Sequence, residues 1–293
     1  MARDDSPFKR LLLDFAANPT AVFGLILLGI IVVAALAAPL ISPQNPYDLT
    51  QLDVVSGRLP PGSTSDTGAT FWLGTDDQGR DMLSAIFYGL RISLAVGITS
   101  TVVALVIGLA LGLTAAYLGG RSETVIMRIA DIQLSFPAIL IALILLAVLG
   151  QGTLKIVAAL VTVQWAYYAR TVRSAALVEK RKEYVEAARC LALSPLRIVF
   201  RHILPNCLPP LIVVATVQVA AAIALEATLS FLGLGLPITE PSLGLLIANG
   251  YQYLLSGKYW ISFFPGVALL LTIVSINLVA DQLRDVLNPR FQQ

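Results

Sequence analysis

Long apolar runs without charged residues alternate with short polar segments along this chain. A helix that crosses a membrane needs about 20 mostly apolar residues to span a hydrocarbon core of roughly 30 Å, because lipid cannot satisfy free backbone amides and carbonyls. Five charge-free runs reach that length: residues 15–47, 92–120, 132–154, 203–225 and 259–280. A sixth, 156–169, gives only about 21 Å of helix, but Lys155 and Arg170 at its ends can extend their charges to the interface. The pattern predicts an all-α integral membrane protein with six transmembrane helices.

Composition agrees with a bilayer and argues against a water-soluble domain. Hydrophobic residues make up 57% of the chain and charged residues 13%, against about 25% charged in soluble domains. The apolar run 20–41 exceeds the roughly 7 to 15 residues of a signal peptide, which predicts a retained first span. Cys190 and Cys207 lack disulfide or zinc spacing, and His202 is the only histidine. We therefore expect free thiols and no metal site.

Basic residues predict the orientation, because short cytoplasmic loops are enriched in Lys and Arg. If the N-terminus is inside, 15 of the 20 Lys and Arg residues fall on the cytoplasmic side. This predicts that both termini are cytoplasmic. It divides the chain into a cytoplasmic N-terminus with the first helix (1–41), an extracytoplasmic loop (42–88) and a five-helix core (89–293). Within the core, the loop 170–206 faces the cytoplasm.

A charged island interrupts the apolar pattern at 179–206, which holds 9 of the chain's 38 charged residues. Ser194 followed by Pro195 is typical of an N-cap and first helical position. Glu186 can pair with Arg189 three residues later. Two apolar stripes at helical spacing flank the bend, and they contain Tyr184, Ala187, Ala188 and Leu191, then Leu196, Val199, Phe200 and Ile203. The island predicts two short amphipathic helices, although an ordinary cytoplasmic loop fits the same pattern.

The stretch EAARCLALSPLRIVFRHILP resembles the EAA loop of permease subunits of binding-protein-dependent ABC importers. Glu186, Ala187, Ala188, Leu204 and Pro205 match its outline. Ala192 stands where the family has glycine. If that position needs a left-handed backbone, alanine costs roughly 1 to 2 kcal/mol, so we expect a more helical bend here.

Four further stretches are similar to the C-type permease of oligopeptide, dipeptide and nickel importers. They are LGTDDQGRDMLSAIFYGLRISL (73–94), DIQLSFPAIL (131–140), EATLSFLGLG (226–235) and DQLRDVLNPR (281–290). Ala85 departs from the arginine that this family has after Leu-Ser. Together the stretches extend the resemblance over nearly the whole chain.

The resemblance implies a bacterial inner-membrane transport subunit in which short coupling helices transmit ATP-driven movement. The coupling residues it implies are Tyr184, Glu186, Ala187, Ala188, Arg189, Ser194, Pro195, Leu204 and Pro205. Its implied partners are a homologous second permease, one or two ATPase subunits and an extracytoplasmic solute-binding protein. Membrane lipid surrounds the chain, and no nucleic-acid partner is implied. The chain has no G-x-x-x-x-G-K-[ST] phosphate loop, so we expect no enzymatic activity and no cofactor in this chain, with ATP and Mg bound by partner subunits.

A few residues outside the island invite separate interpretations. Glu226 is a candidate for the translocation path because ionisable groups in spans are often functional. It lies roughly 26 Å beyond Pro209 along a helix, which favours water access or a structural hydrogen bond near the outer interface. Pro137 predicts a helix start or kink. The Asp-rich run 76–81 lacks EF-hand spacing and predicts a helix start, with 79–90 as a short surface helix. Segment 242–255 is too short to span.

The function that best fits these features is inward transport of di- or oligopeptides by a permease coupled to separate ATPases. A nickel or other small-solute importer of the same build fits as well, since the binding protein supplies much of the selectivity. An independent secondary transporter should show charged or broken mid-membrane spans, for which Glu226 alone is thin support. An intramembrane enzyme is disfavoured because no span carries a Ser/His or metal-ligand set.

Overall fold

The computed structural model describes residues 13–48, 50, 52, 54–65, 68 and 70–287, and within them most of the chain is helical. Residues 1–12 of the predicted cytoplasmic N-terminus and residues 288–290 of the motif 281–290 lie outside the described residues. The helices are α1 Pro19–Ile41, α2 Met82–Leu118, α3 Gly120–Leu134, α4 Ala138–Leu149, α5 Thr153–Glu179, α6 Glu183–Cys190, α7 Pro195–Ile198, α8 Leu204–Phe231, α9 Leu243–Tyr251 and α10 Trp260–Leu287. A small antiparallel pair, β1 Ser63–Thr64 and β2 Thr70–Phe71, lies in the long loop between α1 and α2.

Four helical segments in the described residues are long and apolar enough to cross a membrane. They are Pro19–Ile41, Met82–Leu118, Pro195–Phe231 and Trp260–Leu287, and the bent pair α3–α4 adds a fifth if it is counted as one span. The predicted sixth helix exists as α5 and extends over 27 residues, but it is not among the helices that are long and apolar enough to cross. The all-α membrane fold is confirmed, whereas six spans remain a prediction.

The helices α2 and α5 pack side by side through two glycines. A Cβ at Gly108 would lie 2.4 Å from the Tyr168 Cβ, and one at Gly112 would lie 2.6 Å from the Ala169 carbonyl oxygen. Gly112 follows Gly108 on α2, and the residues that it meets on α5 also come later in the chain. The helices α2 and α5 therefore run in the same direction. The chain must therefore return through α3 and α4 between them.

The run 132–154 does not form one continuous helix, contrary to the prediction. The axis turns by 91° between α3 and α4, and Pro137 immediately precedes the 12-residue helix α4. Proline lacks the amide that would continue the hydrogen-bond ladder and clashes with the preceding turn, which explains the break. The interpretation of Pro137 as a helix start or kink is confirmed.

The helix α2 begins at the end of the Asp-rich run, as predicted. The Asp81 carboxylate accepts hydrogen bonds from the backbone amide of Ser84 at 2.8 Å and from its hydroxyl at 2.6 Å, which caps the helix. Residues 79–90 do not form a separate surface helix, because α2 continues unbroken for 37 residues. That part of the prediction is wrong: no proline lies between Met82 and the following span, and Gly89 alone does not end the helix.

The second helix of the charged island begins at Pro195, as predicted, with Ser194 in an extended conformation before it. It is not a short separate helix, however. A π turn at Val199–Ile203 joins α7 to α8, and the Leu204 amide donates to the carbonyl of Val199. Since Pro205 has no amide to donate, the wider turn lets the helix continue past it. α7 and α8 therefore form one continuous helical segment, Pro195–Phe231.

The residue at the bend, Ala192, adopts a left-handed conformation with φ of 52°. The expected more helical bend is wrong, because the turn itself requires this backbone. The amide of Leu193 donates to the Ala188 carbonyl at 3.2 Å, a bond that ends α6 and forms only if the intervening residue is left-handed.

Replacing Ala192 by glycine is expected to stabilise the protein. A left-handed alanine costs roughly 1 to 2 kcal/mol, and the greater freedom of glycine in the unfolded chain offsets part of the gain, leaving about 0.5 to 1 kcal/mol. The free energy of unfolding in detergent measures the effect. Ala187→Gly, in the helical part of α6, is the matched control and should destabilise by about 1 kcal/mol. If both variants changed the free energy of unfolding in the same direction, backbone strain at Ala192 would be contradicted.

Candidate functional site

The loop 179–206 is anchored to the rest of the chain by one apolar side. The buried side chains from the loop are Val185, Ala188, Ile198, Val199 and Ile203, and they pack in one cluster with Tyr168, Val172 and Ala176 of α5 and with Ala104, Leu113 and Ala116 of α2. Burial of this many apolar groups fixes the loop on the ends of two helices. The loop is therefore packed firmly against the core.

The opposite side of the loop presents an apolar patch with charged neighbours. Leu191, Leu196 and Phe200 are 74%, 71% and 60% exposed, while Glu186, Ala187 and Arg189 are also exposed. We call these six residues the coupling surface, and the loop 179–206 that carries them the coupling loop, after the role that the sequence resemblance implies. Exposed apolar groups beside charged residues are typical of a protein interaction site.

The structure separates the residues that the sequence had placed together. Ala187 is exposed, but Ala188 is only 4% exposed and belongs to the buried cluster. Among the described residues no ion pair joins Glu186 to Arg189, so the predicted pair is wrong, and both charges are exposed. The remaining predicted coupling residues lie at the starts of α7 and α8. Ser194, Pro195 and Pro205 are exposed, and Leu204 is half-buried.

A polar network that sequence reasoning missed joins both ends of the loop. The Tyr184 hydroxyl donates to the Glu179 carboxylate, which also pairs with the Lys182 ammonium at 2.6 Å. The Asn206 amide donates to the Tyr184 oxygen at 3.1 Å and to the His202 carbonyl at 2.8 Å. The network links the end of α5, the helix α6 and the start of α8, and only the fold brings these positions together.

Two pKa values in this network are displaced from their usual range. Burial would raise the pKa of Glu179, but the hydrogen bonds from Lys182 and Tyr184 outweigh it and hold that pKa below normal. Burial, the bond to Glu179 and its negative charge raise the pKa of Tyr184 to about 12. At neutral pH the carboxylate is therefore charged and the hydroxyl protonated, as this arrangement requires.

Basic side chains brace the same region to α2 and α3. The Lys180 ammonium donates to the carbonyls of Ala116 and Tyr117 at 2.9 and 3.0 Å, where α2 ends and its carbonyls lack helical partners. Arg173 of α5 pairs with Glu123 of α3 at 2.7 Å from Nε. These bonds join the ends of three helices next to the coupling surface.

The candidate residue Glu226 is fully buried between helices. Its carboxyl group accepts hydrogen bonds from Ser93 of α2 at 2.9 Å and from Ser230 at 2.7 Å, and Ser242 contributes another. With 0% exposure, it has no open surface along which a solute could pass. Of the roles considered for Glu226, a structural hydrogen bond is the one that fits this geometry.

A second polar cluster holds the loop between α1 and α2 in place. Arg80 and Asp76 are 1% and 0% exposed, and their Nε and Oδ2 atoms lie 3.0 Å apart. Arg80 also donates to the Ile238 carbonyl at 3.2 Å, and the Trp260 ring nitrogen donates to the Thr75 carbonyl at 3.2 Å. Burial raises the pKa of Asp76, although Arg80 opposes this effect. The cluster connects the loop to α10 and to the segment after α8.

Comparison with known proteins gives consistent results over the whole chain. Residues 108–293 match the family described as "Binding-protein-dependent transport system inner membrane component", and residues 6–61 match the N-terminal transmembrane domain of oligopeptide transport permease C. The di/tripeptide transport system permease protein DppC of Pseudomonas aeruginosa (strain UCBPP-PA14) is 38% identical over 98% of this chain and 93% of its own length. The oligopeptide transport system permease protein OppC of Bacillus subtilis (strain 168) is 35% identical over 98% and 91%.

Solved structures show the same fold. A chain of the MetNI methionine ABC transporter in an inward-facing conformation aligns with a TM-score of 0.58 at 22% identity, covering 71% of this chain and 98% of that chain. An amino acid ABC transporter crystallised with histidines aligns with a TM-score of 0.53 at 14% identity, covering 68% and 92%. From these matches we conclude that the chain belongs to the family of inner-membrane components of binding-protein-dependent transport systems.

Proposed function

We propose that this chain is the transmembrane permease subunit of an ATP-driven importer of di- or oligopeptides. The observation that carries the substrate class is the near full-length similarity to relatives named for di/tripeptide and oligopeptide transport. Members of this family work in general with a partner permease, ATPase subunits and a binding protein. In this proposal both termini are cytoplasmic, ATP and Mg bind to the ATPase subunits, and the coupling surface docks on one of them.

The contacts support a mechanical route from that surface to the spans. When the ATPase subunits close on ATP, they displace α6 and α7. The displacement reaches α8 through the continuous helix across the π turn, and it reaches α2 and α5 through the buried cluster and Lys180. Closely packed interiors transmit displacement instead of absorbing it. Alternating opening of the path then follows from relative movement of α8 against α2 and α5.

Reconstitution of the chain with its co-encoded partners tests the proposal. Uptake of a radiolabelled dipeptide into proteoliposomes should require ATP and should stop when the phosphate-loop lysine of the ATPase is replaced. Nickel uptake in the same vesicles is the competing substrate test, and preference for nickel would contradict the peptide assignment. Uptake driven by an ion gradient with this chain alone would contradict ATP coupling.

A further inference from the structure

A cleft of about 810 Å³ opens between α5, α8 and α10, near the end of α8 that carries the coupling loop. Its apolar wall comes from α8 and includes Pro209, Val213 and Val217. Its polar groups are Thr171, Asn206, Gln218, Asp281 and Arg284. Two of the helices, α8 and α10, belong to apolar spans. Asp281 and Arg284 lie just beyond the charge-free run 259–280, at the end of α10 where the cleft can admit water and a polar ligand.

The cleft carries one fixed charge of each sign, one helical turn apart. Asp281 and Arg284 are both exposed and lie three residues apart on α10, where side chains are neighbours at about 5 to 6 Å between Cβ atoms. A dipeptide in extended form spans about 7 Å, and the long side chain of Arg284 can place its guanidinium that far from the Asp281 carboxylate. The two ends of a short zwitterionic peptide can therefore reach opposite charges at the same time.

The backbone of α8 adds hydrogen-bond acceptors at the cleft. Pro209 and Pro210 have no amide hydrogen, so the carbonyls of Pro205 and Asn206, four residues earlier, lose their helical donors. Such freed carbonyls are tolerated in a span where they line a cavity. These carbonyls can accept hydrogen bonds from the ammonium and peptide N–H groups that every peptide shares. The apolar wall can contact peptide side chains of different kinds.

The cleft is connected to the coupling loop by one shared residue. Asn206 lines the cleft and donates to the Tyr184 oxygen of α6 at 3.1 Å. A displacement of α6 thus changes the cleft through a direct bond, without passing through the rest of the core. This gives the coupling surface a short route to a ligand.

We propose that this cleft is the peptide site of the inward-facing half of the transport path. Arg284 binds the peptide carboxylate, Asp281 and the freed carbonyls of α8 bind the ammonium group, and the wall of α8 packs against side chains of any apolar type. The proposal rests on the peptide importer function and assigns to this chain a recognition step of its own, separate from that of the binding protein.

Direct binding to the complex without its binding protein tests the assignment. The probe is radiolabelled Ala-Phe, compared with its C-terminal amide and its N-acetyl derivative, on the permease–ATPase complex in nanodiscs. Arg284→Gln should weaken Ala-Phe binding at least about 10-fold, with little further loss for the amide. Asp281→Asn should give the mirror pattern with the N-acetyl derivative. Asp285→Asn, an exposed carboxylate of α10 outside the cleft lining, is the matched control and should bind all three probes normally.

The outcomes distinguish this proposal from the importer function. Equal loss for all three probes, absence of saturable binding to the wild-type complex, or loss of the second permease from the Arg284→Gln complex would each overturn the cleft assignment. ATP-driven uptake of Ala-Phe by the intact importer is measured in parallel. If the wild type takes up Ala-Phe and both Arg284→Gln and Asp281→Asn bind and transport it normally, only the cleft assignment is refuted. If the wild type takes up no Ala-Phe, the importer function itself is refuted.

Discussion

Replacing Leu196 or Phe200 by aspartate is expected to abolish ATP-coupled transport while the permease still inserts and folds. Both side chains are mostly exposed, so a charge there costs the isolated chain little. If they pack into an ATPase subunit, the charge must be desolvated on docking, and an interface residue of this kind is worth about 2 kcal/mol or more, or roughly 30-fold in affinity. Co-purification of the ATPase and ATP-driven dipeptide uptake measure the effect.

A matched control separates docking from a general effect of charge near the membrane. Leu118 is 65% exposed and follows Ala116 and Tyr117, the residues whose carbonyls bind Lys180, but it lies outside the coupling surface. Leu118→Asp should retain ATPase binding and uptake. If it loses both to the same degree as Phe200→Asp, or if Phe200→Asp transports normally, the coupling surface is wrongly assigned.

Replacing Arg80 by alanine is expected to lower the free energy of unfolding by about 3 to 5 kcal/mol. Arg80 and Asp76 are both buried, and removing one member of a buried ion pair leaves the other charge without compensation. The loss also removes the bond to the Ile238 carbonyl, so the segment after α8 should loosen. Unfolding of the purified chain in detergent measures the global change, and hydrogen exchange at 232–242 measures the local one.

The double variant Arg80→Met with Asp76→Asn shows whether the charge or the packing matters, because the asparagine oxygen still accepts from the backbone amides of residues 78 and 80, each 2.9 Å from the Asp76 carboxylate. If the cost of Arg80→Ala arises from an uncompensated Asp76, removing both charges together should recover most of the lost stability. The exposed pair Arg170 and Asp131, 3.8 Å apart and 57% and 55% exposed, is the control. Arg170→Ala should change stability by less than about 1 kcal/mol. A double variant as unstable as Arg80→Ala contradicts the electrostatic explanation.

Helix starts were the local features that the sequence predicted best. Asp81, Pro137 and Pro195 each begin a helix because their backbone or side-chain chemistry acts within one turn of the chain. Helix ends and continuity were predicted less well. The run 132–154 is broken at Pro137, and the segments 79–90 and 195–203 merge into longer helices. The second merger depends on a π turn that accommodates Pro205, and such a turn has no signature in the periodic pattern.

Burial within the charged island was also decided by the tertiary structure. Ala187 and Ala188 are adjacent and chemically identical, yet only Ala188 packs against α2 and α5. The same holds for Glu179, Tyr184 and Asn206, whose bonds cross a helix break and a sequence separation of up to 22 residues. No periodic pattern encodes such contacts, since they depend on where two other helices end.

The sequence by itself determined that this chain is an all-α membrane protein, because the cost of exposing charge or free backbone to lipid leaves long apolar helices as the solution. It also carried the EAA outline, which resembles the family to which the chain belongs. Only the tertiary structure decided which side of the coupling loop is exposed, that Glu226 is closed off by serines, and that Asp281 and Arg284 share a cleft with α8. These features depend on the relative positions of helices distant in sequence, which are set by close packing and not by the properties of any one segment.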